Sequence, residues 1–339
     1  MFEAVAALCL AAAAEICRDV LLPGYEAPTA AACEAALAAR PPTVDGTPLC
    51  KPVGEALAVE EVAPGVFVHV GRIEEPNEAN RGDVANLGFV VGSESVAVID
   101  AGSARWIGEA LWRAVRARTA KPIAYAILTH HHPDHALGAA PFAEAGAEIV
   151  AHAGLARALA DRQANYLESM ERLIGAEAFL GTEAVRPTMA VEGPFEIDLG
   201  DRPIALTPWP AAHTGADLTA LDRATGTLFA GDLVFEVHTP ALDGRLVGWR
   251  AALEALTEID AARVVPGHGA ASLPWPGGAG DTARYLATLE ADARAAVARG
   301  DRLGDAAEEI AAEEAERWEL FEAYNPRNAT VAFTEMEWE

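Results

Sequence analysis

A chain of 339 residues with 51% hydrophobic and 22% charged side chains can bury a full core as one large domain or two modest ones, and is too apolar to be disordered. Asp and Glu outnumber Lys and Arg by 51 to 25, a formal charge of -26. A surface that acidic repels phosphate backbones and anionic lipid, which argues against a nucleic-acid or membrane-surface partner. No stretch reaches the ~18 apolar residues of a membrane span, so insertion is not expected.

The first candidate element, residues 4–16, is apolar and alanine-rich. Only Met1-Phe2-Glu3 precede it, without the basic flank of a secretory signal, so it reads as the first helix of a mature protein. The four cysteines, Cys9, Cys17, Cys33 and Cys50, all fall within the first fifty residues. An even set in one short segment predicts a disulfide-stapled extension and an oxidising, periplasmic or secreted setting. Buried free thiols compete with that reading, and four cysteines permit three pairings among which the sequence does not choose. The turn-rich run from Arg40-Pro41-Pro42-Thr43 to Pro52 divides a helical extension, 1–52, from a second domain, 53–339.

Beyond the linker, β-branched runs at 66–70, 87–91 and 96–99 are separated by Gly, Pro and Asp, as strands in a sheet require. A helix is expected over 104–117 and a buried strand over 123–128. Helical segments at 141–145 and 155–179 flank a strand at 148–151. A second β-rich stretch, 189–234, precedes two amphipathic helices, 282–298 and 306–324, and a short tail. Strands followed by helices, twice over, suggest two packed sheets with helices outside.

The chemistry concentrates where the 123–128 strand ends. Thr129-His130-His131-His132-Pro133-Asp134-His135 has H-x-H-x-D-H spacing, and imidazole nitrogen and carboxylate oxygen are the donors that zinc or iron prefers. Three distant pieces share its character: His213 in Ala211-Ala212-His213-Thr214-Gly215, Asp232 after Leu228-Phe229-Ala230-Gly231, and His268 in Pro266-Gly267-His268-Gly269. Five of the nine histidines thus sit at the ends of apolar runs beside small residues. Each alone reads as a turn residue or cap; together they read as a metal centre.

This set resembles the metallo-β-lactamase superfamily, and the resemblance implies an αββα sandwich with the metal site along one edge. Carried over by position, it implies a first metal held by His130, His132 and His213, a second held by Asp134, His135 and His268, and Asp232 bridging them. Asp100, closing Val98-Ile99-Asp100-Ala101-Gly102, resembles the strand-end Asp that orients the site, although an ordinary Asp-x-Gly turn explains it as well. Two zinc ions would acidify a bridging water to hydroxide, and Asp134 would orient it and pass its proton to the leaving group. The expected substrate is a small molecule with an ester, thioester or lactam-like bond. Class B β-lactamases of the main types carry Cys or Ser where Asp232 stands, which places efficient lactam hydrolysis in doubt.

The N-terminal segment around Cys17 and the tail Phe333-Thr334-Glu335-Met336-Glu337-Trp338-Glu339 look like the quinoprotein relay system zinc metallohydrolases, implying a functional link to a quinoprotein dehydrogenase. Two other readings use the same residues: an iron persulfide dioxygenase holding one iron with two His and one Asp, and a non-catalytic metal-binding relay protein. Of the remaining residues, His238 and Arg81 are candidates for substrate binding, Arg81 from a long polar loop over 72–86 and against the default of a solvated side chain. His131 is expected to point away from the ligands into solvent, His69 to be structural, and Trp209 and Phe235 to pack in the core, with apolar walls of the substrate site as the alternative.

Overall fold

The computed structural model describes residues 1–11, 13–44 and 46–338. Its first surprise is at the N-terminus, where the alanine-rich stretch is not a helix. Phe2–Leu10 (β1) and Ala13–Ala27 (β2) form an antiparallel hairpin, Ala30–Ala39 (α1) packs on it, and Leu49–Pro52 (β3) pairs with the other edge of β1. Cys9 lies directly opposite Cys17 and is bonded to it, and Cys33 is bonded to Cys50. Eight residues of helix rise about 12 Å, beyond the roughly 7 Å that a disulfide spans between Cα atoms. The cross-link and the expected helix are therefore incompatible, and the extension is a small sheet carrying one helix.

The next elements are Glu60–Ala63 (β4), Val66–His69 (β5), Leu87–Val91 (β6), Val96–Ile99 (β7), Arg105–Arg116 (α2) and Ile123–Leu128 (β8). Pro133–Ala136 (α3), Ala140–Glu144 (α4), Glu148–His152 (β9), Leu155–Ile174 (α5), Ala176–Phe179 (α6) and Met189–Val191 (β10) complete the first half. Its sheet has the order β10-β9-β8-β7-β6-β5-β4. The second half comprises Phe195–Asp198 (β11), Pro203–Pro208 (β12), Leu218–Asp222 (β13), Thr227–Phe235 (β14), Leu246–Thr257 (α7), Arg263–His268 (β15) and Leu273–Pro274 (β16), in the order β11-β12-β13-β14-β15-β16. Gly280–Arg299 (α8), Leu303–Glu309 (α9) and Phe321–Glu337 (α10) close the chain.

Period-two alternation decides the layers. Along β7, Val96 and Val98 face the helices with Ile107, Leu111 and Phe142, whereas Ala97 and Ile99 face the other sheet with Leu206, Phe229 and Val265. The outer face of the second sheet packs Leu228 and Val264 against Trp249, Tyr285, Leu289 and Phe333 of the C-terminal helices. The result is helices, sheet, sheet, helices, the αββα sandwich expected from the resemblance.

The expected helix over 306–324 is broken. Trp318 and Glu319 run extended to bond the 237–239 loop, with Thr239 N–H donating to Glu319 O at 3.0 Å and Glu319 N–H to Val237 O at 2.7 Å. Leu320 then takes a φ of 60°, and α10 absorbs most of the expected tail. Among the described residues no helix is long and apolar enough to cross a membrane.

Candidate metal centre

The parallel strands β7 and β8 of one sheet, and β14 and β15 of the other, deliver polar residues at or near their C-terminal ends to one edge of the sandwich. Asp100 follows β7, the histidine motif follows β8, Asp232 lies in β14, and His268 ends β15. His213 comes from the connection between β12 and β13. Gly267 is required by this convergence, because a Cβ there would lie 1.9 Å from Asp232 Oδ1.

The residues assemble into two donor groups. One atom each from His130, His132, His213 and Asp232 lie within 4.8 Å of one another, as do atoms of Asp134, His135 and His268. Asp232 reaches both groups. Its Oδ2 is 3.7 Å from His130 Nε2, 3.4 Å from His213 Nε2 and 3.5 Å from His268 Nε2, and its Oδ1 is 3.1 Å from His135 Nε2. All of the expected ligands are therefore brought together.

Each histidine is fixed through its other nitrogen. His130 Nδ1 is 3.0 Å from Thr129 Oγ1, whose hydroxyl donates to Asp100 Oδ2 at 2.8 Å. His135 Nδ1 donates to the same Asp100 oxygen at 2.8 Å, His213 Nδ1 to Ala241 O at 2.6 Å, and His268 Nδ1 to Val84 O at 2.9 Å. His132 is reversed: its Nε2 donates to Asp243 Oδ2 at 3.3 Å and its Nδ1 lies 3.0 Å from His213 Nε2. Five outer acceptors thus leave five ring nitrogens facing inward, and in the neutral rings these carry the lone pairs that a cation requires.

The cluster fits a metal on its own electrostatics. His130 Nε2, His135 Nε2 and Asp232 Oδ1 are buried and make no hydrogen bond, although the last two are close. Such orphaned donors and acceptors are costly unless an ion satisfies them. Burial drives His130 well below the usual imidazole range and His213 down to about 3. Burial would lower His135 and His268 too, but Asp232 and its neighbouring carboxylates raise His135 well above that range and His268 to about 9. Burial would raise Asp134, yet His135 and His268 hold it well below the carboxylate range. One compact group thus contains imidazoles forced neutral beside imidazoles forced to protonate, a conflict that a bound cation removes.

A cavity of about 520 Å³ opens over the cluster, with His132, Asp134, Asp232, His238 and His268 in its wall. Its roof comprises Glu74, Glu75 and Pro76 of the 72–86 loop and one face of α5. Phe235 and Tyr324 flank His238, whose ring is 5.7 Å and 4.7 Å from theirs.

Two expectations change here. Arg81 does not line this cavity; its guanidinium stacks over Trp106 at 4.3 Å, an attractive site for a cation. His131 is not solvent-exposed but 1% accessible, with Nδ1 3.2 Å from the Tyr166 hydroxyl of α5. Phe235 packs in the core and also borders the cavity. Sequence reasoning missed Asp243 and the carbonyls of Val84 and Ala241, which carry no motif signal. Asp243 sits in an ordinary Leu242-Asp243-Gly244 turn thirty residues from His213.

Residues 80–268 match the profile of the family described as "Metallo-beta-lactamase superfamily". Over 187 residues, half of this chain, the sequence is 30% identical to acyl-coenzyme A thioesterase MBLAC2 of Bos taurus and 28% identical to that of Homo sapiens. The match spans 62% of the length of these relatives. Among solved structures, a metallo-beta-lactamase from Pontibacter korlensis superposes with a TM-score of 0.56 at 19% identity, covering 68% of this chain and 99% of that one. TMB-1 superposes with a TM-score of 0.54, also at 19% identity, covering 69% and 98%. At that identity the likeness is one of fold. The family profile spans more than half of the chain and includes its histidine motif, His213, Asp232 and His268, and on that match the protein belongs to the metallo-beta-lactamase superfamily.

Proposed function

We propose that the protein is a dinuclear zinc-dependent hydrolase of esters or thioesters. The observation that carries this reading is the set of five histidine nitrogens and one shared carboxylate, Asp232, aimed at two adjacent points. His130, His132 and His213 would hold one ion, Asp134, His135 and His268 the other, with Asp232 between. A bound zinc pair supplies Lewis acidity and a water acidified to near-neutral pKa. The protein does the rest. Asp134 faces the cavity, and its carboxylate is positioned to take the proton of the attacking water and deliver it to the leaving atom. Thr129, Asp100, Ala241, Val84 and Asp243 keep the imidazoles oriented, and the α5 face and the 72–86 loop limit access of bulk water. His238 donates Nδ1–H to Thr239 O at 2.6 Å, so its Nε2 is left as an acceptor for a substrate donor group.

The relatives named as acyl-coenzyme A thioesterases favour a thioester over a lactam. The two disulfides support an oxidising compartment, which we propose to be periplasmic or extracellular. Elemental analysis of protein purified without added metal, followed by an ester, thioester and lactam panel, tests the proposal. About two zinc ions per chain with turnover of an ester or thioester is the expected result. About one iron per chain, with oxygen-dependent consumption of a persulfide, would replace it with the dioxygenase reading.

A further inference from the structure

A second cavity, of about 540 Å³, lies in the seam between the N-terminal sheet and the sandwich and shares no residue with the one over the metal cluster. That volume is within the range of small-molecule sites. Its outer wall exists because β2 bulges. Phe2 faces Ala27 and Ala4 faces Leu22, so residues 23–26 stand opposite Glu3 alone and leave the ladder. The bulge presents Pro23 and Tyr25 to the cavity, and Arg40, the residue that ends α1, joins them. The inner wall is the C-terminal half of α2, with Trp112 and Arg116, and the start of β8 at Ile123.

Each wall carries one guanidinium laid on one aromatic ring. Arg40 Cζ is 4.9 Å from the centre of the Tyr25 ring, and Arg116 Cζ is 4.5 Å from that of Trp112. Both pairs are pinned from behind. The Tyr25 hydroxyl donates to Arg40 O at 2.7 Å, and Arg40 Nη2 donates to Gly24 O at 2.7 Å. Trp112 Nε1–H donates to Glu26 Oε1, and Arg116 Nη1 donates to Lys121 O at 2.6 Å. Neither arginine forms an ion pair, and Nε and the second Nη of each meet no protein acceptor among the described residues.

The nearby carboxylates are occupied. Glu144, the acidic residue of the wall, gives its two oxygens to Arg105 at 2.5 Å and 2.7 Å. Glu26 attracts Arg116 without pairing with it, its Oε1 being shared by Trp112 and Gly24 N–H. Burial still lowers the Arg116 pKa from its usual value. In a chain of net charge -26, two guanidiniums without a counter-charge on one cavity are an exception that calls for an anion.

We infer that this seam binds a small carboxylic acid with a flat apolar body. Its carboxylate meets the open N–H edges of Arg40 and Arg116, and its body lies against Pro23, Pro42 and Ile123. A guanidinium edge matches the two oxygens of a carboxylate. Proline rings and stacked guanidiniums are rigid, so a planar body covers them at little cost in ordering. Two cations among apolar neighbours suit a single negative charge better than a phosphate dianion. The site is independent of the hydrolytic reading above. Because its walls belong to the extension and to the sandwich, its occupant holds the two together.

The test is calorimetric titration of the full-length protein, as purified, with 2-naphthoate, neutral 2-naphthylmethanol and inorganic phosphate. We expect 2-naphthoate to bind with a Kd below about 1 mM. It should bind at least about tenfold more tightly than either other probe, a charge-assisted contact being worth that much. Arg40→Gln and Arg116→Gln should each weaken it at least about fivefold. Hydrogen exchange should slow on binding at 22–25, 40–44 and 112–123. Arg40 is exposed and its Tyr25 bond runs to the backbone, so Arg40→Gln and the wild-type exchange pattern decide the matter even where Arg116→Gln does not fold.

Binding of the alcohol or of phosphate within about twofold of 2-naphthoate overturns the inference, as does no binding of 2-naphthoate at about 10 mM. Affinity that Arg40→Gln retains overturns it as well. So does protection confined to 130–135, 213 and 268, which would place the carboxylate on the metal ions instead.

Discussion

Asp100 Oδ2 accepts a 2.8 Å hydrogen bond from His135 Nδ1 and a second from the Thr129 hydroxyl, from a backbone position whose φ is 58°. The left-handed conformation is one that Asp and Asn tolerate and most side chains do not. The carboxylate therefore sits where two donors converge and fixes the tautomer of His135, and through Thr129 that of His130.

Asp100→Asn retains the backbone preference and changes only the acceptor. An amide NH2 facing His135 Nδ1 would turn that ring over to its other tautomer, with the proton on Nε2 where a lone pair is needed. Zinc affinity, measured by competition with a chelator, should fall about 10- to 100-fold, the usual cost of losing such an outer partner. Unchanged affinity would mean that Asp100 is only a turn residue.

His130→Ala and His213→Ala should each remove metal and activity together. Losing a direct ligand should cost at least about a hundredfold in kcat, the upper end of what an outer partner costs. Bound zinc and turnover measured on the same samples check this. Full turnover by a chelated, metal-depleted sample would eliminate the metal mechanism altogether.

His69 gives a pH-dependent contribution to stability. Its Nδ1 faces Ala58 O at 2.8 Å and its Nε2 faces Asp83 Oδ1 at 2.7 Å, so both nitrogens meet acceptors and only the imidazolium donates to both. Burial alone would lower its pKa, but Asp83 and the Ala58 carbonyl raise it above 6.5. A raised folded pKa means that the stabilisation is complete below about pH 6.5 and is lost as pH rises through the higher, folded value. Hydrogen bonds to charged groups contribute about 1.5–3 kcal/mol. The stability difference between the wild type and His69→Gln should therefore be largest near pH 6 and shrink by pH 9 in urea unfolding. A difference that is flat with pH would show that the ring is neutral.

Glu109 joins the N-terminal sheet to the sandwich. It is 1% exposed, accepts from Arg18 Nη1 at 2.8 Å, from Arg105 Nε at 2.8 Å and from Leu21 N–H at 3.1 Å. Glu109→Ala leaves Arg105 buried with its charge half-answered by Glu144. Breaking a buried pair from one side costs about 3–5 kcal/mol, to be read from the denaturant midpoint. A loss below about 1 kcal/mol, the level of an exposed pair, would show that the extension docks by its apolar face alone.

The candidate metal ligands were legible because ligand chemistry restricts residue type, and strand ends restrict place. The motif 130–135, His213, Asp232 and His268 each follow or end an apolar run, and the fold can bring such ends to one edge. The runs at 87–91, 96–99 and 123–128 were legible for a similar reason, because a buried strand in a two-sheet sandwich must be apolar on both faces. Residues 4–16 misled because alanine is compatible with either period, and helix propensity is weak beside a cross-strand bond between Cys9 and Cys17. A disulfide depends on which residues become neighbours in space, and no local pattern states that.

The sequence by itself indicated two packed sheets with helices outside, which the family resemblance narrowed to an αββα sandwich, together with the seven ligand candidates and the segment that disulfides were expected to staple, since side-chain chemistry set at fixed spacing carries those signals. Only the tertiary structure decided which acceptor turns each imidazole. Asp243, Val84 and Ala241 reach their histidines across 28 to 184 positions of chain, through loops and backbone carbonyls that every residue possesses. The same holds for Arg162, Leu173 and Arg327, which packing brings to the wall of one cavity. A helix face has a direction in the sequence, but what it confronts is chosen by packing.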